Sequence, residues 1–262
     1  MQLYLIILTL FFSQGFSCTK NENAVISEKP FVRNQQVSKD SSANVCFEFN
    51  ELNTKVRDGL ISKKDAIEEI KTLVPQVRKY FFDNGGKEYS YEKWIFPVKG
   101  LGPSAIGGTN GSGYNAKGYD YFDGNRHGGH PAHDIFINDK NQDDIDDYSG
   151  EPVDILSMSS GVVVALEKEW DTKSGLRGGK YIWIYDTHTD ALFYYAHNRK
   201  VTVNVGDIVK PGDKIAEMGR SGLNAYKKRS PTHLHFSFLP VKDGVVKPED
   251  PYEDLINAKV IR

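Results

Sequence analysis

Apolar positions fall into three regimes along this chain. The first is Leu3 to Phe12, an apolar run of about ten residues. That is too short to span a bilayer, which takes ~20, and fits the core of an export signal over 1–17. Residues 18–44 are polar, with scattered Ser, Asn, Lys and Glu, and read as a flexible tether. In the second regime Phe49, Leu52 and Val56 recur at helical spacing and Gly59 closes the segment. Ser62 with Asp65 opens another helix in the manner of a capping box, and Ile67, Ile70, Val74, Val77 and Phe81 continue it. Pro75 is expected to kink or interrupt this second helix. Asn84-Gly85-Gly86 ends it, so residues 45–88 are expected to form a helical hairpin. The third regime begins at 89. A glycine-rich loop from Gly100 to Gly129 leads into short runs rich in β-branched and aromatic residues: 134–137, 153–156, 161–166, 181–185, 192–196, 214–218 and 234–239. Turn residues separate them, as in Lys210-Pro211-Gly212-Asp213, and the expectation over 89–262 is a mainly β domain.

Composition narrows the class. Hydrophobic residues are 39% of the 262, enough for a packed core, and the formal net charge of -2 shows no basic excess of the kind nucleic-acid binders carry. Small or polar residues and then Cys18 follow the first apolar run, an order that resembles a bacterial lipoprotein signal, in which the cysteine is acylated. Two features differ: no Lys or Arg precedes the apolar core, and Gly15 stands where Leu is usual. Cys18 is the expected lipidation site, which puts the protein in the cell envelope with a lipid anchor as its membrane contact. The competing reading is plain secretion, with cleavage near Ser17. The other cysteine is Cys46. It is unpaired if Cys18 is acylated, and otherwise free to form one disulfide with it.

Candidate chemistry lies in the histidines. HGGHPAHD (127–134) contains a His130-x-x-x-Asp134 pair, with His130 on a loop and Asp134 at a strand start. In THLHF (232–236), His233 and His235 point to one side of a strand while Leu234 points to the other. In YYAHN (194–198) a strand ends in His197. A catalytic zinc site takes three protein ligands and an open position, with proton-transfer groups beside it. His130, Asp134 and one histidine of the HLH pair would be the ligands. His197 and the other HLH histidine are left for acid–base work.

These three motifs, in this order, resemble those of the lysostaphin/LytM-type zinc endopeptidases. The text between them is similar too, notably SGVVVALEKEW, KYIWIYD and VNVGDIVKPGDKIAEMGRSG, so the likeness covers about 94–240. It implies an antiparallel β-sandwich or barrel-like domain and one zinc ion per chain. His130, Asp134 and His235 would be its ligands, and His197 and His233 the catalytic histidines. The substrate it implies is peptide in bacterial peptidoglycan, in a stem peptide or a cross-bridge. Ala132 replaces the family's usual Gly two residues before the motif Asp. His133 is expected to pack, and His127 and His188 read as unassigned surface histidines.

Other readings compete. Some LytM-type domains lack the metal ligands and activate cell-wall amidases, but all five expected residues are present here. A lipoyl-type carrier needs a lysine after Met at a hairpin tip, and Met158 and Met218 are followed by Ser and Gly. DKNQDDIDD sets Asp139, Asn141, Asp143 and Asp147 at alternating calcium-loop positions. Asp144 and Gly150 stand where the EF-hand requires Gly and Glu, which favours a solvated acidic loop over a Ca2+ site.

Overall fold

A computed structural model describes residues 44–262. The export segment, Cys18 and the tether expected at 1–43 lie outside the described residues. Helices α1 (Asn44–Asp58) and α2 (Lys63–Asp83) form the expected hairpin. Ser62 caps α2, its side chain accepting from the Asp65 amide. Of the kink or interruption expected at Pro75, the interruption does not occur: α2 runs through it as one helix. Pro75 lies on the exposed face, where the carbonyl it leaves without a donor meets water, while Leu73, Val77 and Phe81 hold the buried face in place.

Ten strands follow: β1 (His133–Phe136), β2 (Asp154–Leu156), β3 (Gly161–Glu167), β4 (Tyr181–Asp186), β5 (Ala191–Ala196), β6 (Asn198–Val201), β7 (Ile208–Val209), β8 (Lys214–Met218), β9 (His233–Lys242) and β10 (Val245–Val246). They make a seven-stranded sheet in the order β1-β9-β5-β4-β3-β7, with β10 on β9, and a three-stranded sheet β2-β8-β6. The paired strands are antiparallel throughout. This is the mainly β, antiparallel architecture with N-terminal helices that the sequence led to expect. The short strands β6, β7 and β10 and a last helix, α3 (Tyr252–Asn257), come in addition.

Alternation along the strands gives the large sheet two apolar faces. Ile135, Ile182, Ile184, Phe193, Leu234 and Phe236 face the small sheet, where Ile155, Ile215 and Met218 meet them. On the other face Val162, Val164, Tyr185, Leu192 and Leu239 lie under Phe49, Leu52, Val56, Ile70, Val77 and Phe81 of the hairpin. Each such fully buried side chain contributes about 1.5–3 kcal/mol. Polar ties add register. The Asn50 side chain accepts from the Leu166 amide at 3.0 Å, and Arg57 donates to Glu167 and Tyr181, each at 3.2 Å. Cys46 is wholly buried in this hairpin core and has no disulfide partner among the described residues. The hairpin and the β elements fall in one compact unit. The hairpin covers only part of its sheet face. The remainder, around Tyr194, His235 and Ser237, is open to a groove.

Among the described residues, no helix is long and apolar enough to cross a membrane.

Candidate metal centre and its groove

The β1–β9 register builds the centre. Asp134 pairs with His235 and Phe136 with His233. On the other side of β9, His235 pairs with Ala196 of β5. Directly paired residues of antiparallel strands project to the same face, so the Asp134 and His235 side chains meet over the sheet. Asp134 Oδ1 lies 3.1 Å from His235 Nδ1 and 3.2 Å from His130 Nε2, with His233 Nε2 at 3.7 Å. His130 arrives from the glycine-rich loop. Its backbone exchanges both hydrogen bonds with Asn115, at 2.6 and 2.8 Å.

His197 completes the group. It ends β5 with φ of +66°, a left-handed conformation uncommon for a residue other than glycine. Its neighbour Asn198 locks that bend, Nδ2 donating to the carbonyls of Lys180 and Tyr195 at 3.0 Å each. The His197 ring lies 4.9 Å from that of His233 and 5.5 Å from that of His235, and the His130 and His235 rings are 4.8 Å apart. All five residues singled out from the sequence therefore share one groove.

Three of the imidazoles have a fixed tautomer. Nδ1 of His130 faces the Gly113 carbonyl at 3.1 Å, that of His197 the Ser221 carbonyl at 2.7 Å, and that of His233 the Pro231 carbonyl at 2.7 Å. A carbonyl only accepts, so each Nδ1 carries the hydrogen, and the neutral ring leaves its Nε2 lone pair for the groove. For His130 that lone pair confronts the Asp134 carboxylate, an arrangement that calls for a proton or a cation between them. His130, Asp134 and His235 offer donor atoms all within 4.8 Å of one another, the one such group of His, Cys, Asp or Glu among the described residues. Nitrogen and carboxylate donors, with the His130 ring tied to a backbone carbonyl, fit a zinc donor set.

Charge is unevenly distributed. Burial works to raise the Asp134 carboxyl, but hydrogen bonds from His130 and His235 and the charges of His235 and His233 hold it well below the usual carboxylate range. The Asp134 hydrogen bond raises the His130 imidazole. Burial lowers His235, and burial with the nearby His233 and His235 charges pushes His197 far below its ordinary value.

The remaining histidines separate clearly. His133 points to the opposite face of β1, fully buried, with Nε2 2.7 Å from Asp250 and its ring beside Tyr114 and Tyr252, so it packs as expected. His188 is exposed beside Tyr91. His127 is a correction. It is half-buried, lies against Tyr119 at 4.7 Å and lines the groove. The acidic loop turns its oxygens inward: Asp139 accepts from the amides of Asp143 and Asp144 and from the Thr232 hydroxyl, Asn141 from Asp143, and Asp147 from Lys140.

The five side chains line a cavity of about 230 Å3. A narrower one of about 80 Å3 shares His235 with it and is lined by Asn53, Val56 and Arg57 of α1. Arg177, Gly178 and Tyr194 border both. The sequence reading did not single out these residues. Arg177 and Gly178 stand in the loop before β4 and Tyr194 in β5, with no motif linking them.

An antiparallel sheet thus carries a His/Asp/His cluster over its open face, flanked by two further histidines. Residues 143–248 match the model of Peptidase family M23. The matched stretch holds His197, His233 and His235, while His130 and Asp134 stand just before it. A lipoprotein NlpD/LppB homolog of Pseudomonas aeruginosa is 37% identical over 112 residues, which are 43% of this chain and 32% of that protein. The match thus spans about a third of that relative's length. Among solved structures, the catalytic domain of lysostaphin from Staphylococcus simulans is 26% identical, with a TM-score of 0.35, over 50% of this chain and 81% of that one. A LytM-type protein of Ruminococcus gnavus is 21% identical, with a TM-score of 0.46, over 90% and 94%.

Proposed function

We propose that this protein is an exported zinc endopeptidase that hydrolyses peptide bonds in bacterial peptidoglycan. One observation carries the reading: Asp134 Oδ1 sits between His130 Nε2 and His235 Nδ1, at 3.2 and 3.1 Å, with the other His130 nitrogen tied to a backbone carbonyl. His130, Asp134 and His235 would hold the ion. Bound zinc supplies a water of lowered pKa and polarises a carbonyl. The protein's own contribution is positional. The Ser221 and Pro231 carbonyls fix the His197 and His233 rings, so each presents Nε2 to the groove. One neutral Nε2 takes the proton from the attacking water. That ring, once protonated, hydrogen-bonds the oxyanion and passes its proton to the leaving amine, while the other neutral Nε2 orients the water by accepting its second hydrogen. No side-chain nucleophile is needed.

The test is digestion of purified peptidoglycan with the zinc-loaded protein, with fragments identified by mass spectrometry and metal measured on the same preparation. New amine and carboxyl termini together with about one zinc per chain are expected. Intact peptides beside a rise in the activity of an added cell-wall amidase would instead establish the activator reading. Placement in the envelope through Cys18 belongs to the same proposal. A fatty-acid analogue should label the wild type and spare Cys18→Ala, and equal labelling would remove the anchor.

A further inference from the structure

One cation beside the centre has no anionic partner among the described residues. Arg177, in the loop between β3 and β4, is half-buried and borders both the main cavity and the narrower one lined by α1. Its side chain makes a single protein hydrogen bond, from Nη1 to the His127 carbonyl, and no ion pair among the described residues. The rest of its donor fork has no protein partner. Arg57, which also lines the narrower cavity, is neutralised by Asp58 at 2.8 Å and Glu167 at 3.2 Å. Between them the walls are aromatic: Tyr119, Tyr181, Trp183 and Tyr194. A partly desolvated guanidinium gains most from a planar oxyanion that takes two of its hydrogens at once, and a carboxylate has that shape. Apolar walls with one charge at the mouth fit a side chain whose carbon stem lies along rings and whose acidic end stays near the groove.

We propose that Arg177 binds a free carboxylate carried by the substrate beside the bond being cut. The enzyme would then select acidic peptides over uncharged bridges built of glycine. This rests on the peptidase reading above. His127 supplies the carbonyl that aims the guanidinium, and Tyr194 forms the shared wall.

The experiment uses two synthetic peptides that are identical except for a free carboxylate or a carboxamide on the residue next to the scissile bond. Hydrolysis is measured with zinc-loaded wild type, and equilibrium binding with zinc-loaded His233→Ala, which holds peptide without rapid turnover. Wild type should favour the carboxylate about 10- to 100-fold, the scale of one charge-assisted hydrogen-bond pair, chiefly through KM. Arg177→Gln should bring the ratio toward one in both assays. Arg177→Met keeps the stem's packing, carries the same expectation and decides the matter if the Gln protein does not fold. Equal treatment of the two peptides by wild type, or a preference that survives loss of Arg177, overturns the proposal. A preference in binding with neither peptide cut would sink the peptidase reading and leave the Arg177 assignment standing.

Discussion

Asp134 stands directly across the β1–β9 ladder from His235, with Oδ1 3.1 Å from Nδ1. His233, two residues away on the same strand face, is tied through Nδ1 to the Pro231 carbonyl and holds its Nε2 3.7 Å from the same oxygen. Neighbouring histidines therefore have different expected duties. His235→Ala should lose both zinc and turnover, because two ligands hold the ion poorly. His233→Ala and His197→Ala should keep zinc while turnover falls by roughly 10²–10⁴. Zinc per chain, measured beside rate, separates the cases. Loss of zinc from His233→Ala with His235→Ala still loaded would exchange the two roles.

Gly222 is expected to control the His197 ring from outside the motifs. Its φ is +117°, and an added Cβ would collide with the Arg177 carbonyl and sit 2.9 Å from His197 Nδ1. Gly222→Ala should therefore displace the ring from the Ser221 carbonyl and cut turnover at least tenfold, with zinc retained. Unchanged turnover would show that the loop yields without moving His197.

Asp186 sets a pH dependence of stability. It is fully buried at the end of β4, and burial raises its pKa to about 6 although the His188 amide and the Thr189 hydroxyl hydrogen-bond to it. The unfolded value is ~3.9. The folded state thus binds this proton more tightly. The stability it contributes is fully present below pH ~4, declines as pH rises, and is lost above about 6. Asp186→Asn should stabilise the protein by roughly 3 kcal/mol at pH 7 and hardly at pH 4. Urea denaturation at both pH values checks this, and an equal gain at each would refute the assignment.

Asp139 is expected to act as a brace. Its carboxylate joins the loop amides of Asp143 and Asp144 to the Thr232 hydroxyl, which immediately precedes His233. Asp139→Ala should lower stability by about 1–3 kcal/mol, and calcium should leave the wild-type melting temperature unmoved. A calcium-dependent rise in melting temperature that Asp139→Ala abolishes would revive the cation loop.

The site was legible where chemistry and spacing coincide. His233 and His235 alternate around Leu234, which fixes their shared face, and Phe49, Leu52 and Val56 repeat at the helical period. Other features depend on distant partners. β7 is two residues long and exists through pairing with β3. β6 begins immediately after the left-handed His197, with a register shift against β8 that hides it from periodicity. Pro75 argued for a break that buried neighbours overrule. The wall bearing Arg177 and His127 is assembled from separate segments, so only the fold reveals it.

Cys46, sealed in the hairpin core, has its thiol pushed up to about 12 by burial. A thiol that is neither ionised nor accessible does not exchange with disulfides while the helices stay docked. Its alkylation rate therefore counts openings of the hairpin rather than the reactivity of the sulfur. In an oxidising envelope, each chain with a modified Cys46 would be one whose α1 had at some moment left the sheet. The residue serves as a tally of past local unfolding, readable by mass spectrometry long after the helix has returned.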